Sequence, residues 1–334
     1  MAHAEPPRVA MRDVARLAGV STSTVSRALA SPELVADATR DKVMAAVRRS
    51  GYRPGGDHVR SGALGLLVPD IENPFFASVC KGAHSRAQLR GYGTYVADFD
   101  EDRTAEPELI TSLARRVDAL ILCSPRADEQ VFRDVGATVP LVLVNRRLAG
   151  YPSVIIDESS GVRQLLSHLH TLGHRHIAWA DGPPASFSGA QRRHLIASTA
   201  AQLDMTLTEL GNFRPDYSGG IVAADQMTPG GPTALVAYCS IMALGAMGRL
   251  VARGVQVPQH VSVAGFDELA LADLVTPRLT TVQVSLRALG QSAVDLATTP
   301  QKTSGGPPPD LELPSGLVIR DSTGGAYDDA PRAR

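Results

Sequence analysis

The side chains best suited to specific recognition in this sequence lie close together near its start. The hydroxyls of Thr22, Ser23 and Ser26 are followed by the guanidinium of Arg27. Arginine can bond guanine through two parallel hydrogen bonds, and serine or threonine adapts to several base edges. Side chains of these types are therefore chemically suited to contact with the grooves of DNA. The alternative is a helix surface whose polar groups only meet water.

Two short helices must present these side chains. The first is predicted by an apolar face at helical spacing, made by Val14, Ala15, Leu17 and Ala18. Gly19 predicts its end, because glycine accepts a left-handed backbone. Ser21 predicts the cap of a second helix that buries Val25 and Leu29, since its hydroxyl can accept from a free backbone N–H. This pattern is typical of the helix-turn-helix of DNA-binding proteins, although an ordinary helical hairpin would share it.

A third helix is expected over 37–50, with Asp37 as its cap and Val43, Met44 and Val47 facing inward. It completes an all-α headpiece over 9–54. Residues 1–8 are expected to be disordered, and 55–62 form a linker that contains three glycines.

Charge and cysteine content narrow the class of protein. The chain has a net charge of −1, yet residues 1–60 carry ten Arg or Lys against six Asp or Glu, so the positive charge lies at one end. Cys80, Cys123 and Cys239 stand far apart in apolar runs and are expected to be buried reduced thiols. The start of the chain does not resemble a secretory signal, and no stretch is long enough to cross a membrane. We therefore expect a cytoplasmic protein.

From position 63 the pattern changes to short apolar strands that alternate with helices. Such strands are typical of parallel sheets covered on both faces. Two sets of strands predict two doubly wound α/β lobes within an effector-binding and dimerisation domain over 63–323, with a cleft at the carboxyl ends of the strands. The first lobe is expected to hold 63–157 and 283–300, and the second 158–280 and 311–320. Residues 324–334 are expected to form a disordered tail.

Several motifs occur in order along residues 9–323, and they carry a resemblance to a known family. The motifs are Asp13-Val14-Ala15, Thr24-Val25-Ser26-Arg27, Asp70-Ile71-Glu72-Asn73-Pro74, Leu172-Gly173-His174-Arg175-His176, Met242-Ala243-Leu244-Gly245, Val263-Ala264-Gly265-Phe266-Asp267 and Thr276-Pro277-Arg278-Leu279-Thr280. The chain resembles the lactose/galactose repressor (LacI/GalR) family. The resemblance implies a helix-turn-helix headpiece followed by a two-lobed core similar to the periplasmic-binding-protein fold. It also implies an effector-responsive transcriptional regulator, in first place a repressor.

Roles for individual residues follow from the same resemblance. Thr22, Ser23 and Arg27 match positions that read bases in the major groove. Contacts to DNA phosphates are expected from Ser21, Thr24, Ser26 and Arg53. Effector contacts are expected from Phe75, Phe76, Ser124, Asn145, Asp157, Ser188, Arg192, Phe213 and Asp267.

Within the effector set, Phe213 is expected to stack on a ligand ring, while Arg192 and Asp267 bond its polar edge. An aromatic platform beside charged partners suits a sugar, which has an apolar ring face and many hydroxyls. Two alternatives remain open. Phe75 and Phe76 could belong to the core, and Arg192 could pair with Asp267 across the lobes.

Two features depart from the family pattern. The 55–62 linker is shorter than usual and offers only Val59 as an apolar wedge for the minor groove. Cys239-Ser240 replaces the Asn-Asp found in many sugar-responsive members. The first departure leaves a second hypothesis, in which the chain is a small-molecule binder with impaired DNA recognition. The second departure leaves a third, in which the chain binds DNA without a ligand response.

Enzymatic and metal-binding functions have little support in the sequence. There is no nucleophile elbow, phosphate-binding loop or dinucleotide fingerprint. Four closely spaced histidines are expected to be surface or capping residues rather than metal ligands, namely His168, His170, His174 and His176. No cofactor is predicted. The expected partners are double-stranded operator DNA, a carbohydrate effector and a second copy of the chain. We expect a dimer rather than a tetramer, because the 324–334 tail lacks the heptads of a tetramerising coiled coil.

Overall fold

A computed structural model describes residues 11–30, 35–50, 61–228, 230–267, 269–299 and 308–326. Two compact units divide the chain, at residues 1–61 and 62–334. The expected disorder of residues 1–8, the predicted Arg53 contact and positions 55–60 of the predicted linker lie outside the described residues.

Three helices form the first unit, namely α1 (Met11–Ala18), α2 (Thr22–Ala30) and α3 (Asp37–Ser50). They pack around a small core of Val14, Ala15, Val25, Ala28, Val43 and Ala46. The predicted helices are confirmed, but two predicted inward residues are not, because Leu17 is 47% exposed and Met44 37% exposed. In a bundle this small the buried stripe is narrow, so alanines fill positions close to the helix axes.

The start of α3 also differs from the prediction. The backbone carbonyl of Ala36 accepts from the N–H groups of Thr39 and Arg40, at 2.9 and 3.0 Å. Ala36 therefore occupies the cap position and Asp37 the first helical position. An aspartate there still favours the helix, since it lies beside the positive end of the helix dipole.

The first lobe of the second unit is built on a six-stranded sheet in the order β11-β5-β4-β3-β1-β2. Its strands are β1 (Ala63–Val68), β2 (Gly93–Asp98), β3 (Ala119–Cys123), β4 (Leu141–Val144), β5 (Ser153–Asp157) and β11 (Asp310–Pro314). Its helices are α4 (Pro74–Leu89), α5 (Glu106–Ala114), α6 (Glu129–Gly136) and α12 (Leu286–Thr298). All pairings in this sheet are parallel.

The second lobe repeats the plan with a sheet in the order β12-β10-β9-β8-β6-β7. Its strands are β6 (His176–Asp181), β7 (Thr206–Asn212), β8 (Ala234–Ala237), β9 (Ser262–Phe266), β10 (Thr280–Gln283) and β12 (Gly316–Val318). Its helices are α7 (Ser159–Thr171), α8 (Phe187–Gln202), α9 (Tyr217–Asp225), α10 (Ser240–Ala252) and the short α11 (Leu271–Leu274). Only β12 runs antiparallel to its neighbour.

The chain passes between the lobes three times, after β5, after β10 and between β11 and β12. The last helix packs on the first lobe, because Leu286, Leu289 and Val294 of α12 lie in the same core as α4. The placement of 311–320 is wrong in part. Residues 311–314 belong to β11, which pairs with β5 of the first lobe, since the chain changes sheet only at Ser315.

The beginning of the predicted disordered tail is bound to the second lobe. Ala326 N–H donates to the carbonyl of Leu172 at 2.8 Å, and His174 lies 3.1 Å from the carbonyl oxygen of Gly324. His174 is 1% exposed and also contacts Thr233 and Ser262. The surface assignment of this histidine is therefore wrong, because its ring joins three segments inside the lobe.

Candidate functional site

One face of α2 exposes polar side chains while the other is buried. Ser21 caps the helix, with its hydroxyl accepting from the N–H of Thr24 at 3.1 Å. Ser21, Thr22, Ser23, Ser26 and Arg27 are exposed, Thr24 is half-buried, and Val25 and Ala28 face the core. The predicted contact residues other than Arg53 thus lie on one helix or at its cap, from Ser21 to Arg27 in its last turn. The free N–H groups at the start of this helix also favour a phosphate.

The second candidate site is the cleft between the two lobes of the second unit. All its walls come from the segments that follow the carboxyl ends of parallel strands, where ligands bind in such folds. The first lobe contributes Asn73, Phe75, Phe76, Glu101, Ser124, Arg126 and Asn145. The second lobe contributes Ser188, Arg192, Pro215, Tyr238, Cys239 and Asp267.

Four residues of this cleft hold a left-handed backbone that non-glycine residues rarely adopt. They are Glu101, Ser124, Asn145 and Asp267, with φ between 47° and 74°. Such a conformation costs roughly 1–2 kcal/mol for a residue with a Cβ. Backbone strain of this kind concentrates at functional sites, and here it turns each side chain away from its strand and into the cleft.

Arg192 is the centre of the second lobe's wall. Its Nε donates to Oε1 of Glu158 at 2.7 Å, its Nη1 to the carbonyl of Tyr238 at 2.6 Å and its Nη2 to Oδ1 of Asp267 at 3.1 Å. The guanidinium carbon also lies 5.0 Å from the ring centre of Tyr238 and 4.5 Å from that of Phe266. The guanidinium is thus held at its edges and over its faces.

The pKa shifts follow from burial and from this pairing. Burial opposes the charge of Arg192, but Glu158 and Asp267 outweigh it and raise its pKa. Burial raises the pKa of Glu158 and of Asp267, and Arg192 only partly offsets this. The guanidinium therefore stays charged, while each carboxylate is held in an environment that disfavours its charge.

Arg126 holds the corresponding place in the wall of the first lobe. Its guanidinium forms a two-pronged ion pair with Glu101, in which Nη2 lies 2.9 Å from Oε1. Its backbone N–H donates to the buried carboxylate of Glu106 at 2.9 Å. Burial raises the pKa of Glu106. The Nε of Arg126 is buried and has no hydrogen-bond partner among the residues that the structure describes.

The lobes also contact each other at the cleft. Asn73 Nδ2 donates to the carbonyl of Pro215 at 3.4 Å, and Arg214 pairs with Asp100 at 3.0 Å. The free volume between the walls is about 20 Å³, which is roughly the room that one ordered water needs. The described conformation is therefore closed, and a sugar-sized molecule enters only when the lobes separate.

Seven of the nine predicted effector residues meet at this cleft, namely Phe75, Phe76, Ser124, Asn145, Ser188, Arg192 and Asp267. Asp157 lies instead beside Arg147 and Gln191 in a separate cavity of about 210 Å³. Phe213 packs against the core of the second lobe. The structure does not place either residue in the cleft wall, so Tyr238 and the paired phenylalanines are the aromatic groups available there.

The alternative pairing of Arg192 with Asp267 is also present, although both residues belong to the second lobe rather than to opposite lobes. Sequence reasoning missed Glu158, Tyr238, Arg126 and Glu101. Tyr238 and Glu158 had a usable signal, because each directly follows a buried strand.

Comparison with known proteins agrees with this arrangement. Residues 10–55 match the model for bacterial regulatory proteins of the lacI family, and residues 61–306 match that for periplasmic binding proteins and the sugar-binding domain of the LacI family. The chain belongs to the LacI family. It is a DNA-binding transcriptional regulator with an effector-binding domain.

Curated LacI relatives are similar over most of their length. The transcriptional regulator GalS of Salmonella typhimurium is 32% identical over 302 residues, which cover 86% of this chain and 89% of GalS. The transcriptional repressor PurR of Vibrio cholerae is 32% identical over 304 residues, with the same coverage. These relatives are regulators rather than enzymes, which confirms the non-enzymatic prediction.

Solved LacI-family structures match both parts of the chain. A complex of the regulator CelR with cellobiose aligns with a TM-score of 0.69 and 28% identity, covering 94% of this chain and all of that one. The lac repressor dimer bound to operator and an anti-inducer aligns with a TM-score of 0.70 and 27% identity, covering 95% and 100%. Among the described residues no helix is long and apolar enough to span a bilayer.

Proposed function

We propose that this chain is a repressor that binds a palindromic operator as a homodimer and responds to a carbohydrate held between its lobes. Two headpieces would occupy adjacent half-sites, since a two-fold dimer matches two-fold DNA. Ligand would change the angle between the lobes and so the operator affinity, through a coupling free energy of about 1–3 kcal/mol.

The observation that supports DNA reading most directly is the exposed row on α2. Thr22 and Ser23 in the first turn of the capped helix, and Arg27 in its last turn, are all exposed, so they are available to base edges in the major groove. Related regulators share this segment, as the match over 10–55 shows.

The experiment for this role is a titration on palindromic duplexes selected from a random library. The full chain should bind one symmetrical sequence far more tightly than a shuffled duplex of the same composition. Equal affinity for all duplexes at every salt concentration would contradict sequence-specific regulation, whereas no binding would favour the small-molecule binder.

An apolar surface of the second lobe supports the homodimer. Tyr217, Val251 and Leu271 are between 39% and 56% exposed around a groove of α9, α10 and α11, and neighbouring Leu274 is 77% exposed. Exposed apolar clusters of this kind are typical of protein interfaces. A glutamate at position 274 should therefore weaken dimerisation without unfolding the lobe.

Sedimentation experiments, which measure the dimer dissociation constant, test this prediction. Wild type should sediment as a dimer at micromolar concentration, and Leu274→Glu should shift toward monomer by about tenfold or more in Kd, because the charge would be desolvated at the interface. Leu311→Glu, on the edge strand β11, serves as the control. An unchanged dimer in Leu274→Glu would remove this surface from the proposal.

The carbohydrate role is supported by the cleft chemistry. Aromatic rings of Phe75, Phe76 and Tyr238 lie beside the amide of Asn145 and the charged groups of Arg192 and Asp267. A thermal-shift screen of neutral sugars and nucleosides should identify a stabilising ligand, which should then change operator affinity. A ligand that stabilises the chain and leaves operator affinity unchanged would contradict the coupling.

A further inference from the structure

The charged groups at the cleft include more carboxylates than guanidiniums. Two guanidiniums, Arg126 and Arg192, line it, and each is faced by two carboxylates. Glu101 pairs with Arg126, while Glu106 attracts it from behind. Glu158 and Asp267 both pair with Arg192. Buried arginines can attract an anionic ligand, but here carboxylates of this chain already pair with both arginines.

The geometry of Arg192 leaves little for a second anion. Of its five N–H groups, the one on Nε is directed to Glu158, one on Nη1 to Tyr238 and one on Nη2 to Asp267. A phosphate or carboxylate is bound most strongly by two parallel N–H groups of one guanidinium. Glu158 occupies the edge of Nε and Nη2, since its Oε1 lies 2.7 Å from Nε and 2.5 Å from Nη2. Tyr238 and Asp267 occupy Nη1 and Nη2, so neither edge offers two free N–H groups.

Two buried polar atoms of these charged side chains lack partners among the described residues. Oε2 of Glu158 and Nε of Arg126 make no hydrogen bond, and both side chains are 5% exposed or less. Arg126 lines the cleft itself, so its free N–H can donate one bond to a neutral ligand oxygen. The orphaned oxygen of Glu158 adds negative potential behind Arg192, which a ligand anion would meet.

We propose that Glu158, by occupying Arg192, sets the charge class of the effector. The cleft accepts a neutral or amine-bearing polyhydroxyl molecule, such as a hexose or hexosamine, and excludes its phosphorylated or carboxylated counterparts. This inference rests on the proposed effector role of the cleft and narrows it. Glu158 acts here as a positioning residue, because it reaches the ligand only through Arg192.

The first experiment compares matched ligands on the full-length wild-type protein. Binding is followed through the fluorescence of Trp179, the single tryptophan of the chain. Its ring centre lies 6.0 Å from that of Phe266, the ring over which Arg192 lies. For a sugar framework that binds, the hexosamine and the hexose should bind at least about tenfold more tightly than the 6-phosphate or the uronic acid. Equal or tighter binding of the anionic member would overturn the proposal.

The second experiment needs no knowledge of the effector, since its probe is inorganic phosphate at constant ionic strength. Millimolar phosphate should leave the emission of Trp179 and the Tm of wild type unchanged. In Glu158→Gln it should produce a saturable change, because a neutral amide oxygen holds the N–H groups of Arg192 more weakly than a carboxylate does, so the anion can displace it. Glu129→Gln removes the same charge from the surface of α6, where Glu129 pairs with Arg133, and should behave as wild type.

Each outcome bears on one claim. Phosphate binding at the cleft of wild type, or an unresponsive Glu158→Gln that retains the wild-type circular dichroism spectrum, would overturn the charge assignment. If the phosphate experiment succeeds but no sugar or amino sugar binds, the carbohydrate proposal fails while the charge class stands. If Glu158→Gln does not fold, the response of wild type to phosphate and to the ligand pairs still decides the question.

Discussion

Arg27 and Arg192 show how one residue type serves two kinds of recognition. Arg27 is exposed on a capped helix, so its donors are available to whatever approaches. Arg192 is 3% exposed and is engaged by two carboxylates, a carbonyl and two aromatic rings. Arg27 presents its donors to solvent, where DNA can reach them, whereas the donors of Arg192 are already bound within the protein, so that a ligand must compete for them. Replacing Arg27 should therefore affect recognition alone, whereas replacing Arg192 should affect both recognition and stability.

The largest expected effect follows from Arg192→Met. The change leaves Glu158 and Asp267 buried without their cation, and breaking a buried pair in this way costs about 3–5 kcal/mol. Urea unfolding at pH 7 should measure that loss. An effect below about 1 kcal/mol would show that the two carboxylates do not depend on Arg192.

The pH dependence of the stability of Arg192→Met tests the same interpretation of the buried carboxylates. Removing Arg192 also removes the interaction that lowers the pKa of both carboxyls, so their folded pKa values rise further above the unfolded ones. The folded state then binds more protons, and its deficit relative to wild type should shrink as pH falls from 7 toward 5. A deficit that grows on acidification would contradict this explanation.

An intermediate effect, confined to DNA, is expected for Arg27→Ala. Loss of a two-pronged base contact should weaken binding to the best operator by about 1–3 kcal/mol and relax one base position, with little change in unfolding. Arg133→Ala removes an exposed arginine from α6 and serves as the control. A uniform loss across all sequences would instead assign Arg27 to a phosphate.

The smallest expected effect compares two left-handed residues, inside and outside the cleft. Asp204→Gly relieves φ = 52° at an exposed position after α8 and should stabilise the protein by about 0.5–1 kcal/mol without altering ligand affinity. Asn145→Gly relieves φ = 54° but removes a cleft amide, so ligand affinity should fall. Equal ligand affinity in both variants would exclude Asn145 from the binding site.

The sequence predicts the alternating strands and helices well where each strand is a buried apolar run. It fails for β7, because that edge strand is largely exposed and polar. It also fails for α9, which contains two glycines. Added Cβ atoms would come within 2.0 Å of the carbonyl oxygens of Arg214 at Gly219 and of Met242 at Gly220, so close backbone packing overrides helix propensity there.

The missed site residues have similar local causes. Asp157 is the last residue of β5, whereas Glu158 already has a helical backbone before α7. Strand alternation therefore does not predict which of the two side chains reaches Arg192. Alternation fails after a bulge, and β6 shifts register against β7 between Trp179 and Ala180. The direction of Phe213, just beyond that irregularity, therefore could not be read from the sequence. Family motifs located the cleft, but not which side chains its walls direct inward.

Ser315 gives the two-lobed design a mechanical property. It separates strands of different sheets, its hydroxyl donates to the carbonyl of Asp157 at 2.8 Å, and it accepts from Gly161 N–H at 3.3 Å. Two of the three connecting segments are therefore joined by hydrogen bonds at one point. We expect the lobes to rotate about this point when the cleft opens, so the size of that movement should depend on a residue outside the cleft wall.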